Sequence, residues 1–272
     1  MTNDLFDYNL TEQYRLCLRI SAERFTFALH DETGKPAFYS RDYSTDRERS
    51  LTANLKTIFK DNPFAGRTFR HADILLANTP CVAIPREEFE EERAESLYYG
   101  CMPRENRQTI FHHALPQENP VLLYAADRTF CQLLLEQLPG AHICASVLPV
   151  LEYLHRRSLT DDQRKLFVHF HDRRMDVSAY EPGKLLLHNT FRSTQGADVV
   201  YYLLYIWQQL GFDQQKDELY LIGRVPDQEH TLRELHRFLA EVAFIHPAAE
   251  FKRAAYARGD ADFEIQADFA LS

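Results

Sequence analysis

Several absences narrow the chemistry before any motif is read. The 272 residues contain one tryptophan and nine glycines, and they form no GxSxG, no GxxxxGK[ST], no HExxH and no dinucleotide-type glycine pattern. The hydrolases and nucleotide binders that announce themselves by those motifs therefore have no support here. The five cysteines, Cys17, Cys81, Cys101, Cys131 and Cys144, are odd in number and form no CxxC pair. That excludes the common zinc-knuckle and thioredoxin patterns and fits a reducing compartment. Cys17, Cys131 and Cys144 lie in apolar runs and read as small core residues. Positive charge is in deficit, with 31 Lys and Arg against 40 Asp and Glu, net −9. A nucleic-acid partner, which demands concentrated positive charge, is not expected. No apolar run approaches the ~18–20 residues of a membrane-spanning helix, so membrane insertion is not expected. The opening MTNDLFDYNLTEQY has no basic stretch followed by an apolar one, so the reading is a cytoplasmic protein without a signal peptide.

What is present is a core-forming chain, 45% apolar and 12% aromatic, long enough for two small domains. One pattern occurs twice. Residues 14–42 and 165–191 each read as a strand, a short polar turn, a second alternating strand, a turn and a third strand. A helical stretch follows each. In the first copy the strands fall near 14–20, 25–29 and 36–42, with a turn at 31–34. Ser44, Thr45 or Asp46 is placed to cap a helix carrying Leu51, Leu55, Ile58 and Phe59. Residues 1–13 read as an irregular arm. Strands are predicted at 73–77, 82–84, 108–113, 121–125 and 141–145. The acidic run 86–95 reads as the start of a helix, its carboxylates on the first turns where the helix dipole favours them. Further helices are predicted over 127–137 and around Pro149. In the second copy a strongly aromatic helix spans 197–210, a strand 218–222, a helix from 227 or 228 to 241, and a strand 242–245. One more apolar element lies in the tail. The polar stretch 156–164 marks the junction, giving domains 1–157 and 158–272.

At the paired strand turns the chain resembles the actin-like ATPase superfamily, which includes actin, heat-shock chaperones, sugar kinases and the PilM- and GspL-type pilus and secretion proteins. It is also similar to small uncharacterised cytoplasmic proteins of Bacteroidetes that share this fold. The resemblance implies an α/β structure of two related actin-like (ribonuclease H-like) domains, each with a mixed five-stranded sheet flanked by helices. It further implies that the tail packs back toward the first domain. The family's first phosphate motif is strand, Asp-x-Gly-[Ser/Thr], strand. The matching stretch is Leu18-Arg19-Ile20-Ser21, with Arg19 at the Asp position and Ser21 at the Gly. At the second motif, Val168-His169-Phe170-His171-Asp172-Arg173, His169 replaces the Asp and His171 the Gly; Asp176 alone matches. The adenosine-side glycine pair becomes Gly223-Arg224.

These departures remove the carboxylates and glycines that hold a Mg-triphosphate. Arg19, Ser21, His169, His171, Arg173, Asp176, Gly223 and Arg224 thus outline a degenerate nucleotide cleft. No cofactor and no catalytic residue is assigned, and the expected role is a non-catalytic interaction or assembly scaffold with a protein partner. Homodimerisation stays open. The alternative is a divergent ATP- or phosphometabolite-binding enzyme, drawing metal ligands from Asp31, Asp73 or Asp176. Arg19 paired to an acidic side chain would favour the scaffold. His169 and His171, at i and i+2, project from one face of a strand. Two imidazoles could begin a metal site with Asp172 or Asp176 nearby, but no metal is assigned without a third ligand within coordination distance. Tyr201, Tyr202, Tyr205 and Trp207 make the 197–210 helix aromatic beyond the needs of a core stripe, which suits an interface.

Overall fold

Alternation of side chains along each strand of the doubled motif decides the two large sheets. In the computed structural model, residues 6–31, 33, 37–60, 62–117, 119–193, 195–251, 254–257 and 261–271 are described. The chain forms two compact units, one of residues 1–114, 121–150 and 251–272, the other of residues 115–120 and 151–250.

In the first unit β1 (Tyr14–Ile20), β2 (Arg24–Asp31) and β3 (Ala37–Ser44) form the antiparallel meander. It is followed by α1 (Leu51–Lys60), β4 (His71–Leu76), β5 (Cys81–Ile84), α2 (Ala94–Cys101), β6 (Gln108–Ala114), β7 (Val121–Asp127), α3 (Arg128–Gln137) and β8 (His142–Ala145). The large sheet has the order β3-β2-β1-β4-β8, with β1, β4 and β8 parallel. Leu16, Leu18 and Ile20 of β1 meet Phe25, Phe27 and Leu29 of β2 on one face, under Leu55 and Phe59 of α1 and Phe130 and Leu134 of α3. Asp127 caps α3 by accepting from the amide of Phe130. The remaining strands form a separate small sheet, β5-β7-β6, closed by Tyr98 of α2.

The division between the units falls within α4 (Val147–Ser158); its Pro149 sits in the first turn, where a missing N–H costs nothing. The second unit repeats the meander in β9 (Lys165–His171), β10 (Arg174–Glu181) and β11 (Lys184–Arg192), then α5 (Gly196–Gln209), β12 (Glu218–Gly223), α6 (Gln228–Leu235), β13 (Glu241–Ile245) and α7 (Pro247–Glu250). Its sheet order, β11-β10-β9-β12-β13, repeats that of the first. Leu166, Val168 and Phe170 pack with Met175, Val177 and Ala179 beneath Val199, Leu203 and Trp207 of α5. The C-terminal helix α8 (Phe263–Leu271) belongs to the first unit. Thus each unit holds a mixed five-stranded sheet with flanking helices, as expected.

Four local expectations need correction. The acidic run forms two 3-10 turns, Arg86–Glu88 and Glu91–Arg93, and the α-helix starts only at Ala94; five carboxylates in six residues repel each other, and neither turn has a side-chain cap. Ser50, not residues 44–46, accepts from the first turn of α1, at the amide of Ala53 (3.2 Å). Helix α6 ends at Leu235 because Glu241 is claimed by β13, opposite Glu218 of β12. Residues 8–13 of the predicted arm form 3-10 turns. Residues 32 and 34 of the predicted 31–34 turn lie outside the described residues.

Candidate functional site

Each β-meander presents a second face, opposite its apolar one, and the candidate residues lie there or at its turns. In the first unit this face carries Arg15, Cys17 and Arg19 of β1 beside Thr26, Ala28 and His30 of β2. Every residue of β1 is buried, so its arginines need partners within the unit. Helix α8 supplies them. Arg19, 1% exposed, directs Nε and Nη2 at Oε1 of Glu264, itself 2% exposed, at 3.0 and 2.9 Å. Asp262 approaches Arg19 Nε at 3.9 Å and pairs with Arg24. Arg15 donates to the carbonyl of Phe269 (3.4 Å) and lies 3.6 Å from Asp268. Burial, then the Asp73 charge, pushes the Asp268 carboxyl up to about 7.

Ser21 closes the β1–β2 turn on itself. Its Oγ accepts from the amides of Glu23 (3.2 Å) and Arg24 (3.1 Å) and donates to the Arg24 carbonyl (3.2 Å). The backbone donors that a phosphate would need at this turn already have an acceptor. The carboxylates considered as substitutes are occupied too. Asp31 accepts from the amide of Thr33 (2.8 Å), and Asp73 is buried against His71 (2.9 Å), His142 (3.4 Å) and Arg15 (3.8 Å).

In the second unit β9 and β10 are joined by a two-residue turn, Asp172-Arg173, with φ of 41° and 59°. Left-handed backbone at both positions suits the right-handed twist of a tight hairpin, although neither residue is glycine. The resulting register sets Asp176 of β10 opposite His169 on β9 and opposite Thr190 on β11. His169, His171 and Asp176 converge, with one potential ligand atom from each lying within 4.8 Å of the others. The imidazole rings stack at 4.8 Å with 24° between planes. Nε2 of His171 donates to Oδ2 of Asp176 at 2.9 Å, and Thr190 Oγ1 donates to Oδ1 at 2.6 Å. Burial alone would raise the Asp176 carboxyl, but the hydrogen bond and charge of His171, with His188 and Thr190, hold it below the usual carboxylate range. Burial pushes His188 down, and its Nδ1 lies 3.0 Å from the Ser178 hydroxyl.

Arg173 and Arg224 are not members of this cluster but share a concavity with its His171. With Arg174, Asp172, Asp227 and Ser193 they line this space of about 580 Å³. The Ser193 hydroxyl, in a residue 5% exposed, has no hydrogen-bond partner among the described residues. Gly223 is fixed by packing: at φ +84° a Cβ there would stand 2.4 Å from the carbonyl oxygen of Phe170 on β9. Of the eight residues singled out from sequence, the structure therefore brings together His169, His171 and Asp176, and separately Arg173 and Arg224; Gly223 spaces two strands, and Arg19 and Ser21 belong to the first unit. Sequence reasoning missed Glu264, Ser193 and Thr190. Thr190 was hidden by a register shift between Ala179 and Tyr180, which sets Thr190 rather than Asn189 opposite Asp176, and nothing local marks Glu264.

A family model described as a protein of unknown function (DUF3822) matches residues 3–242. A crystal structure from Bacteroides thetaiotaomicron, described as having an actin-like ATPase fold and unknown function, is 30% identical, with a TM-score of 0.86 over 98% of this chain and 100% of that one. A PilM–PilN type IV pilus biogenesis complex is similar at 13% identity, TM-score 0.63, over 94% of this chain and 97% of that one. No curated protein matches. No helix of the described residues is long and apolar enough to cross a membrane.

Proposed function

The chain belongs to the DUF3822 family and has the actin-like ATPase fold, and from that premise we propose that it is a non-catalytic member that works by binding a protein partner. One observation carries the reading. At the place of the family's first phosphate loop, a buried Arg19–Glu264 pair stands where a metal-binding carboxylate is expected, and the Ser21 hydroxyl occupies the turn's amides. A triphosphate would have to displace both, and an arginine cannot hold Mg²⁺.

The partner surface is the outer face of α5. Tyr201 and Tyr205 are 65% and 50% exposed and stack at 6.2 Å with 14° between rings. Tyrosine gives a large contact area at low entropic cost, and exposed aromatic pairs suit interfaces. The fold is compatible with such a role, since the similar PilM structure is a complex with PilN.

A second reading, binding of a phosphorylated ligand without Mg²⁺, is favoured by the arginine-lined concavity and the unpartnered Ser193 hydroxyl. Calorimetric titration with ATP and ADP, with and without Mg²⁺, separates the two. The first reading expects no saturable heat and no thermal stabilisation at millimolar nucleotide. Saturable binding that Arg224→Glu abolishes selects the second. Tight Mg-dependent binding that Asp176→Ala abolishes overturns the non-catalytic reading.

A further inference from the structure

We propose that His169, His171 and Asp176 form a binding site for a divalent first-row transition ion, with zinc as the test ion. The site lies wholly within the second unit and stands whether or not the interaction reading above holds. Two imidazoles and one carboxylate are a donor set suited to zinc, cobalt, nickel or iron(II), and poorly suited to magnesium or calcium, which take oxygen ligands.

The geometry is close to ligating without backbone movement. Zinc bonds of about 2.0–2.2 Å place donor atoms about 3.3 Å apart in a tetrahedron. His171 and Asp176 already stand 2.9 Å apart, and the widest separation in the group is 4.8 Å, within the reach of a side-chain rotation at His169. All three residues sit on neighbouring strands of one sheet, which hold a site more firmly than loops do.

The surrounding groups orient the ligands as metal sites require. Thr190 donates to Oδ1 of Asp176, which leaves Oδ2, the oxygen that faces His171, for an ion. Asp172 lies 3.7 Å from Nδ1 of His171, on the opposite side of that ring from Asp176, where a carboxylate favours the tautomer that presents Nε2 to a metal. The ion would take the place of the proton now shared between His171 and Asp176. All three side chains are largely buried, His171 at 8% exposure, and His171 also lines the 580 Å³ concavity. That opening gives an ion its entry and leaves room for water as a further ligand.

The test uses the full-length protein, stripped with a chelator, titrated with Zn²⁺ by calorimetry and with Co²⁺ by visible absorption. One strong site is expected, with ligand-field absorption that saturates at one equivalent of cobalt. His169→Gln and His171→Gln should each weaken zinc by more than the roughly 10- to 100-fold typical of losing an orienting neighbour, and Thr190→Val by about that range. Excess Mg²⁺ should not compete. The wild-type cobalt titration decides the matter even if a variant fails to fold. Absence of saturable ligand-field absorption overturns the proposal. So does zinc affinity that both histidine variants leave unchanged, or thiolate charge-transfer bands that place the ion on the cysteines.

Discussion

Replacing Arg19 with methionine should be one of the most damaging single changes in the first unit. The guanidinium and the Glu264 carboxylate are almost completely buried, 2.9 Å apart at their closest. At an effective dielectric near 20 their attraction is about 6 kcal/mol, set against the cost of taking both from water. Arg19→Met removes that attraction and leaves Glu264 buried beside Asp262, for an expected loss of about 3–5 kcal/mol. At about 2–4 °C per kcal/mol for a chain of this size, melting falls by roughly 6–20 °C. Glu264→Leu should cost a similar amount. The double variant Arg19→Met/Glu264→Leu replaces the pair with apolar volume and should return to within about 1 kcal/mol of the parent. Far-UV circular dichroism during urea or thermal unfolding measures the effect. Trp207, the one tryptophan, is buried in the second unit, so its fluorescence reports that unit locally. A single-variant cost below about 1 kcal/mol, or a double variant as unstable as the sum of the singles, would refute the reasoning.

Gly223→Ala should destabilise the second unit by about 2 kcal/mol or more, since a Cβ would enter the Phe170 carbonyl at a left-handed φ; a melt within 1 °C of the parent would contradict this. Asp268, facing Asp73, Arg15, Cys17 and His142, has its carboxyl raised to about 7 from an unfolded value near 3.9. The folded chain therefore holds this proton between those values while the unfolded chain has lost it. The stability that this group contributes is fully present below about pH 4 and is lost as pH rises through 7, by at most on the order of 4 kcal/mol. Asp268→Asn should flatten that decline, and parallel pH profiles of melting temperature for the two proteins would sink the assignment. Tyr201→Ser with Tyr205→Ser should change stability by no more than about 0.5 kcal/mol; a loss above 1 kcal/mol would show that the exposed pair serves the fold rather than a partner.

The doubled meander was legible because alternation over 14–20 and the apolar run over 166–168, each followed by a polar turn and a second strand, leave little choice of secondary structure, and each copy pairs through short local turns. The small sheet β5-β7-β6 was not legible as a sheet: its strands are visible one at a time, but the pairing of Cys81–Ile84 with Val121–Tyr124 spans some forty residues without a pattern. At the site, spacing alone put His169 and His171 on one face. The convergence of Asp176 depends on the hairpin having two turn residues, which the sequence disguises by placing Asp172 and Arg173 where glycines are usual. That Arg19 replaces a carboxylate could be read directly. The partner that neutralises it could not, because Glu264 lies 245 residues away on a helix whose polar residues, Glu264, Gln266 and Asp268, alternate with apolar ones.

The first unit is built from three stretches of chain, and the last of them supplies the helix over the buried arginines. On a ribosome, residues 14–150 are complete long before residues 263–271 exist. Until then Arg15 and Arg19 lie on an uncovered sheet face, and that face must stay hydrated or be held by a chaperone. The second unit, continuous but for six residues, can close as soon as it is made. Translation would thus finish the domains in the reverse of their order in the sequence, with closure of the first waiting for residues made after the whole of the second.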